Sequence, residues 1–465
     1  MKIFLLTFAL LFSIQLKAQW SGAILDTLTH NDVKDEVNRH SIAIDSSDNL
    51  HIVYSREISP SGWNIFYKKR NANATWTNEE IVTPQTGFNP VIAASTINGE
   101  AYVAFEAIDT SDNEIYICSN AGGAWNCFQL TSNSLDDTSP SIAVDSSGFL
   151  HLTWINEKPN GSYKIEYATN LSGAWVTQEL TNSQLGQFGS GASPVISVDK
   201  SGFANIAYRG NNGNGFRIHY AHNQIAGGSN WNYEIISTPN DQDLAFAILV
   251  DGDTVSHLLI TGNDGFGLPL RAYYHSKKFS DLNFSPSVEV APTFRGQAGD
   301  LFVDRNKIPH FVLNEVNGNI FTGNVIYADS TDWNGRILLN SGDIYNANLV
   351  MDSEDRAFLL AYQGNTTDEE EVVIFGSSNP VIIPSLENKE SPYTIISSDN
   401  LLKIYFRENY FGKLSCSTID GKIVSEKNGN FLKGEIVLID NLARGVYVFN
   451  LENEFGRILK KVVLK

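Results

Sequence analysis

Apolar and polar residues alternate along most of this chain in short runs, broken by clusters of Gly, Asn, Asp and Ser. In "SPSIAVDSSGFLHLTW", residues 139–154, one run ends at an aspartate, a tight bend follows and a second run begins. A period of two bounded by turn residues predicts an antiparallel strand pair. The same line returns as "RHSIAIDSSDNLHIVY", ending at Tyr54, and as "SPVISVDKSGFANIAY", ending at Tyr208. Stretches with helical spacing are scarce.

With the aspartate that closes each first strand as a mark, the register falls at Asp45, Asp145, Asp199, Asp251, Asp304 and Asp352, and Ser95 stands in once. The marks define seven units spaced 48 to 54 residues apart. A second strand starts six residues after the mark, and a third reads "IFYKK", "IYICS", "IEYAT", "IHYAH", "AYYHS", "VIYAD" and "VVIFG". An aromatic then opens a fourth strand: Trp76, Trp125, Trp175, Trp231, Phe284 and Trp333. Four strands in about 50 residues are the dimensions of a propeller blade. The seventh unit lacks its aromatic outer strand, and "WSGAILDTLTH", residues 20–30, resembles the missing piece. The expected fold is therefore an all-β, seven-bladed β-propeller whose N-terminal strand closes the last blade, which leaves no open sheet at the ring's seam.

This repetition decides how the turns are read. Asp-Ser-Ser-Gly is a bend in which Asp caps the turn and Gly takes a positive φ. It is too short to supply the alternating oxygen ligands of a calcium loop, so no metal site is expected. His51, His151, His257 and His310 share one register in four blades, which points to packing or turn bonding and away from catalysis. The repeated tryptophans read as blade-to-blade anchors.

The first 18 residues carry one early lysine and an apolar run, the pattern of a secretory signal peptide. The expected organisation is a signal peptide over 1–18, the propeller over 19–378, a linker over 379–391 and a further β module over 392–465. No later stretch is long and apolar enough to span a bilayer as a helix. A net charge of −19 disfavours nucleic acid as a partner. No cofactor motif is present. Cys118 and Cys127 flank a hairpin and could form a cross-strand disulfide, whereas Cys416 reads as a buried free thiol.

Where blades differ, a site can sit. On the face of the loops joining second to third strands stand Arg56, Glu57, Glu106, Asn156, Glu157, Arg209, Asn314, Glu315 and Gln363. Inter-blade loops add Asp136, Asp137, Asp241, Asp243 and Arg295, with Trp63, Tyr163, Phe188, Phe216 and Phe266 as loop aromatics. Carboxylates, amides and rings together suit a sugar, so the leading expectation is a binding module for glycan or protein. The alternatives are a glycoside hydrolase or polysaccharide lyase, with Glu106 or Tyr163 near Arg209 as lyase candidates, and a structural or adhesive platform.

The blade pattern also resembles the sialidase-like (BNR-like) propellers. The hairpins "NANATW", "NAGGAW" and "NLSGAW" keep the tryptophan of the sialidase box but lose its aspartate. That family's three carboxylate-binding arginines could be met only by Arg56, Arg209 and Arg295, the last out of register. The tail "IDGKIVSEKNGNFLKGEIVLIDNLARGVYVFNLENEFGRILKKVVLK" is similar to the type A sorting domain of the type IX secretion system of Bacteroidetes. The resemblance rests on Asp420-Gly421, on Leu442, Gly445 and Tyr447, and on the basic final strand. It implies a β-sandwich address read by the type IX machinery through 392–465, export to the medium or cell surface, and no catalytic role for the tail.

Overall fold

The computed structural model describes residues 23–27, 35–36, 40–376 apart from short loop stretches (the longest being 181–192, 224–229 and 264–269), and the strands within 393–464. The expected signal peptide and linker lie outside the described residues. The chain divides into two compact units, one within Trp20–Val381 and one built on Ile382–Lys465.

The first unit is a seven-bladed propeller of antiparallel sheets. Blade 3 shows the plan, with strands Asp137–Val144, Leu150–Glu157, Tyr163–Thr169 and Val176–Leu180 paired in that order from the axis outward. Blade 1 departs from it because its inner strand is broken into Asp35–Glu36 and Ile42–Ile44, both against Leu50–Ser59. The fourth strand of blade 7 is Ala23–Thr27, which pairs with Glu369–Gly376 from Ala23 opposite Gly376 to Thr27 opposite Val373. Closure by the N-terminal strand is thus as the repeat count demanded.

Every blade junction near the axis carries a hydrogen bond of one sense, from a backbone N–H of the inner strand, or of the residue leading into it, to the blade before. The donors are Ser41, Ile92, Ser139, Ile196, Val250, Ala298 and Leu349. Their acceptors, in the same order, are Asn348 Oδ1, His40 O, Glu106 Oε1, Ser141 Oγ, Ser197 Oγ, Thr261 Oγ1 and Asp300 Oδ2. An innermost strand has one edge with no ladder partner, and these bonds satisfy it. Between blades the alternating apolar residues pack face to face; Leu152, Trp154 and Ile142 of blade 3 meet Ile115, Ile117 and Ala104 of blade 2.

The repeated turn is scaffold. Asp45 Oδ1 accepts the N–H groups of Ser47 and Asn49 at 2.8 and 3.0 Å, and Asp145, Asp199, Asp251 and Asp352 repeat the pair. Glycine holds the positive φ only in some blades, as at Gly148 and Gly202; Asp48, Thr254, Lys307 and Asp355 adopt φ of 59–64° in others. The caps compensate a conformation that L-residues seldom adopt. The four histidines bond within the scaffold: Nδ1 of His51, His151, His257 and His310 meets a tyrosine hydroxyl at 2.5–2.8 Å. Each Nε2 faces the turn aspartate at 3.1–3.6 Å. Trp125, Trp231 and Trp333 pack on Tyr67, Tyr167 and Tyr274 of the preceding blade. Cys118 and Cys127 are joined by a disulfide between directly opposed positions of neighbouring strands.

The second unit contains two antiparallel sheets. One orders Tyr393–Ser398, Leu401–Phe406 and Ile436–Ile439; the other orders Ile423–Phe431, Tyr410–Thr418, Gly445–Asn453 and Gly456–Leu464. Cys416 is free and buried, and burial pushes its thiol up to about 11. Among the described residues no helix is long and apolar enough to cross a membrane.

Candidate active site between blades 2 and 3

The inner strand of blade 3 begins with a bulge between Thr138 and Ser141, and Ser139 sits at φ 54°. The bulge separates the directions of neighbouring side chains, so one short segment walls two cavities. Ser139, Pro140 and Ser141 line a cavity of about 430 Å³ at the mouth of the central channel, with His40, Asn89 and Asn346 from other blades. Asp137 lines a groove of about 360 Å³ between blades 2 and 3, with Asn133, Trp154, Asn156, Lys164 and Glu166. Both open on the face of the loops that join second to third strands.

Three donors converge on Asp137, which is 1% exposed. Trp154 Nε1 and Asn156 Nδ2 donate to Oδ1 at 2.8 and 2.5 Å, and Asn133 Nδ2 donates to Oδ2 at 2.6 Å. Glu114, on the third strand of blade 2 and equally buried, faces this carboxylate. Its Oε1 accepts Asn133 N at 2.7 Å, and its carboxyl also hydrogen-bonds with Thr131 and Asp137. Burial, reinforced by Asp137, raises its carboxyl above the ordinary range. Glu166 stands opposite Trp154 in the strand pair. Burial raises it too; Glu179 and Asp137 add to the effect, and Lys164 at 2.6 Å opposes it. Asn156 Oδ1 is enclosed without a partner, and a buried polar atom left unpaired is costly.

Glu106 stands behind the channel mouth. Its Oε1 accepts Asn89 Nδ2 at 2.8 Å and Ser139 N at 2.6 Å, both groups of the channel mouth. Burial raises its carboxyl, and nearby Asp136 raises it further. Of the residues expected to ring the loop face, Glu106, Asp136, Asp137 and Asn156 thus come together at one junction.

The others are separate. Arg56 is held bidentate by Glu79 at 2.8 and 3.0 Å and lies over the Phe66 ring, with Tyr54 bonded to the same carboxylate. Arg209 donates to Asp243 O at 2.9 Å and stacks on Phe216 at 3.9 Å. Arg295 donates to the carbonyls of Pro292 and Phe294. Each of these three arginines is engaged in its own blade or junction, which adds to the departure from the sialidase pattern already evident at Arg295. Glu315 accepts Thr322 Oγ1 and Asn324 Nδ2 within its hairpin, Gln363 donates to Asp343, and Asn314 accepts Ala347 N. Glu57 and Trp63 oppose each other in blade 1, as do Glu157 and Tyr163 in blade 3. Tyr163 packs toward blade 4, away from the groove and from any role beside Glu106. Asp243 is fully buried against Thr238 and Ile218 N. Asp241, Phe188 and Phe266 lie outside the described residues.

Glu114, Glu166 and Lys164 were not among the expected site residues. The signal for Glu166 is nevertheless in the repeat. The cross-strand pair at this level is Tyr54 with Phe66, Phe105 with Tyr116 and Tyr208 with His219 in blades 1, 2 and 4, but Trp154 with Glu166 in blade 3.

No family model matches the chain, and no curated protein matches it. Among solved structures, that of the polysaccharide lyase Uly1 is similar with a TM-score of 0.50 at 10% identity, covering 78% of this chain and 94% of that one. The Hadza microbial sialidase Hz136 is similar at 0.43 and 10%, covering 73% and 65%. An α-L-arabinanase of Penicillium chrysogenum, complexed with arabinobiose, is similar at 0.43 and 13%, covering 62% and 92%. At 10% identity the likeness to Uly1 shows the fold alone.

Proposed function

We propose that this chain is an exported glycan-active propeller that hydrolyses a neutral polysaccharide in the groove between blades 2 and 3. The observation that carries the reading is Glu166: a buried carboxyl raised above its ordinary range, placed where three other blades carry an aromatic or histidine, and sharing a groove with Asp137. Glycoside hydrolysis needs one carboxylic acid that keeps its proton near neutrality and one carboxylate. Glu166 donates its proton to the glycosidic oxygen. Asp137 either attacks the anomeric carbon or takes a proton from the water that does. Glu114 is a positioning residue behind Asp137, and Asn133 and Asn156 hold sugar hydroxyls.

The substrate is neutral because the cations are spent. Sialic acid and uronate substrates need a guanidinium or ammonium to hold their carboxylate. Arg56, Arg209 and Arg295 are engaged elsewhere, and with Glu166 protonated Lys164 still has the Glu179 carboxylate at 3.6 Å. The sialidase and lyase variants of an enzymatic reading lose their anchor.

A second reading, a non-catalytic glycan-binding module, is favoured by the same Lys164 contact, which opposes the effect of burial on Glu166. The test is a reducing-end assay of the full chain against neutral and uronate polysaccharides, beside Glu166→Gln and Asp137→Asn. Cleavage of a neutral glycan abolished by both substitutions supports hydrolysis; binding without product supports the module; cleavage of uronates alone refutes the substrate class. The C-terminal unit is proposed as the type IX sorting address, on Gly445, Tyr447 and the basic final strand. Asp420, Gly421 and Leu442, which share in that resemblance, lie outside the described residues. A fusion of residues 392–465 to a reporter, secreted only by a host with that machinery, would test it.

A further inference from the structure

The third strand carries a tyrosine at one register in blades 1, 3, 4, 5 and 6: Tyr67, Tyr167, Tyr220, Tyr274 and Tyr327. At four junctions this ring receives the aromatic that opens the next outer strand. Trp125, Trp231, Phe284 and Trp333 pack on Tyr67, Tyr167, Tyr220 and Tyr274 with centroids 4.9–5.7 Å apart. Blade 2 breaks the plan. It has Ile117 in place of the tyrosine and Ala101 in place of the histidine that bonds the tyrosine in blades 1 and 3. Trp175 of blade 3 instead meets Phe128, with centroids 6.0 Å apart and the rings tilted by 47°.

Phe128 comes from the outer strand of blade 2, where it stands directly opposite Ile117. The residues opposite the tyrosine in blades 1, 3 and 4 are Glu80, Gln178 and Glu234. Blade 2 thus carries its aromatic at the rim and not on the buried third strand, and the ring is 43% exposed. A single exposed ring is ordinary on a protein surface. Two features set this one apart.

The first is its place. Leu130 N donates to Ile115 O, so the ladder runs on past Gln129, and Phe128 and Leu130 share one side of it. Leu130 and Trp175 both pack on the core between blades 2 and 3. Leu130 and Thr177 line the groove that holds Asp137 and Glu166. Phe128 and Trp175 precede them by two residues each, a strand step of about 7 Å. The second feature is its mounting. The disulfide from Cys127 to Cys118 pins this outer strand, only four residues long, to the strand behind it. A ring fixed before its ligand arrives loses little freedom on binding.

We propose that Phe128 and Trp175 form an aromatic subsite, which stacks one sugar unit of a neutral glycan where the chain runs out of the groove. Asn133 and Asn156 offer polar contacts within the groove, and the apolar face of a sugar ring matches a phenyl group that has no hydrogen-bonding atom. The ligand class rests on the proposed function. The subsite selects chains long enough to reach past Leu130 and Thr177.

The full chain, labelled with fluorotryptophan, is titrated with cello-, xylo-, manno- and arabinohexaose and with the matching disaccharides. The fluorine signal of Trp175 is assigned with Trp175→Phe. At least one hexaose shifts that signal, and its disaccharide leaves it in place. Phe128→Ala and Phe128→Leu both weaken hexaose binding about tenfold by calorimetry. The leucine keeps apolar cover over Trp175 and removes only the flat ring, so its loss reports stacking. On the polysaccharide, Phe128→Ala raises KM with kcat unchanged, as expected for a contact made equally before and in the transition state. A hexaose that shifts Trp175 without being cleaved sinks hydrolysis in the groove and leaves the subsite standing. Cleavage with an unmoved Trp175 signal, or with either Phe128 variant binding as the parent does, overturns the subsite and leaves hydrolysis standing. If no hexaose binds, both fall.

Discussion

Trp154 donates its indole N–H to Asp137 across blade 3 at 2.8 Å, and both groups are withdrawn from solvent. The aromatic at this register in blade 1, Tyr54, likewise donates to a carboxylate, that of Glu79; in blade 3 the acceptor lines a groove. Trp154→Phe keeps most of the buried ring and removes the donor. We expect a loss of about 1–3 kcal/mol in stability. We also expect a shifted acid limb in the pH profile of glycan cleavage, measured as initial rate against pH. A stability loss with an unmoved profile would confine Trp154 to packing.

Glu166→Gln separates stability from function. A carboxyl whose folded pKa lies above its unfolded value costs stability once the pH exceeds the unfolded pKa, and the cost persists above the folded one. Burial raises Glu166 in this way. The amide therefore melts no lower than the parent at pH 7 and gains less on acidification, while cleavage is lost. Lys164 loses its closest partner in this variant, which bounds the gain. A marked drop in melting temperature at pH 7 would show that the ion pair outweighs burial.

The turn aspartates act with the opposite sign. Against the cost of burial, His51 and the turn donors hold the Asp45 carboxyl well below its usual range; Asp145 and Asp251 are lowered as well. A depressed folded pKa gives stability that is present above the unfolded value, near 3.9, and is lost as pH falls through the folded one. Asp45→Asn should lower the melting temperature at pH 7 and flatten its decline between about pH 4 and pH 2. Thermal melts of parent and variant across that range decide it; parallel curves would contradict the assignment.

Removing residues 20–27 should open the ring at blade 7. Glu369–Gly376 would lose its outer partner, and the buried Val373 and Phe375 would lose cover on that side. The unfolding transition should broaden and fall by several degrees, with early hydrogen exchange in blade 7. Unchanged exchange there would mean that the ring stands without its clasp.

The blades and their closure were legible because seven approximations to one strand plan reinforce each other in the alternation and the turn aspartates. The broken inner strand of blade 1 was not, since "NDVKDEVNRHS" carries no alternation. The candidate site was half legible. Loop residues such as Glu106, Asp136, Asp137 and Asn156 stand out as departures from an apolar pattern at strand ends. Glu114 and Glu166 lie within third strands, where one polar position in two is expected to face solvent. Their inward direction depends on which face each blade turns to its neighbour, and that is a property of the closed ring. Sequence already set Arg295 out of register, but could not show that Arg56 and Arg209 each find a closer acceptor in an adjoining strand or loop.

The one-way bonds from each inner strand to the blade before give the ring a handed order. Each blade offers an N–H to its predecessor and an acceptor to its successor, and the acceptors differ: carboxylates at Glu106 and Asp300, hydroxyls at Ser141, Ser197 and Thr261, an amide at Asn348 and a main-chain carbonyl at His40. Blades that began alike have become non-interchangeable parts. Exchanging two of them would leave a donor facing an acceptor of the wrong reach, so the circle can be assembled in only one sequence.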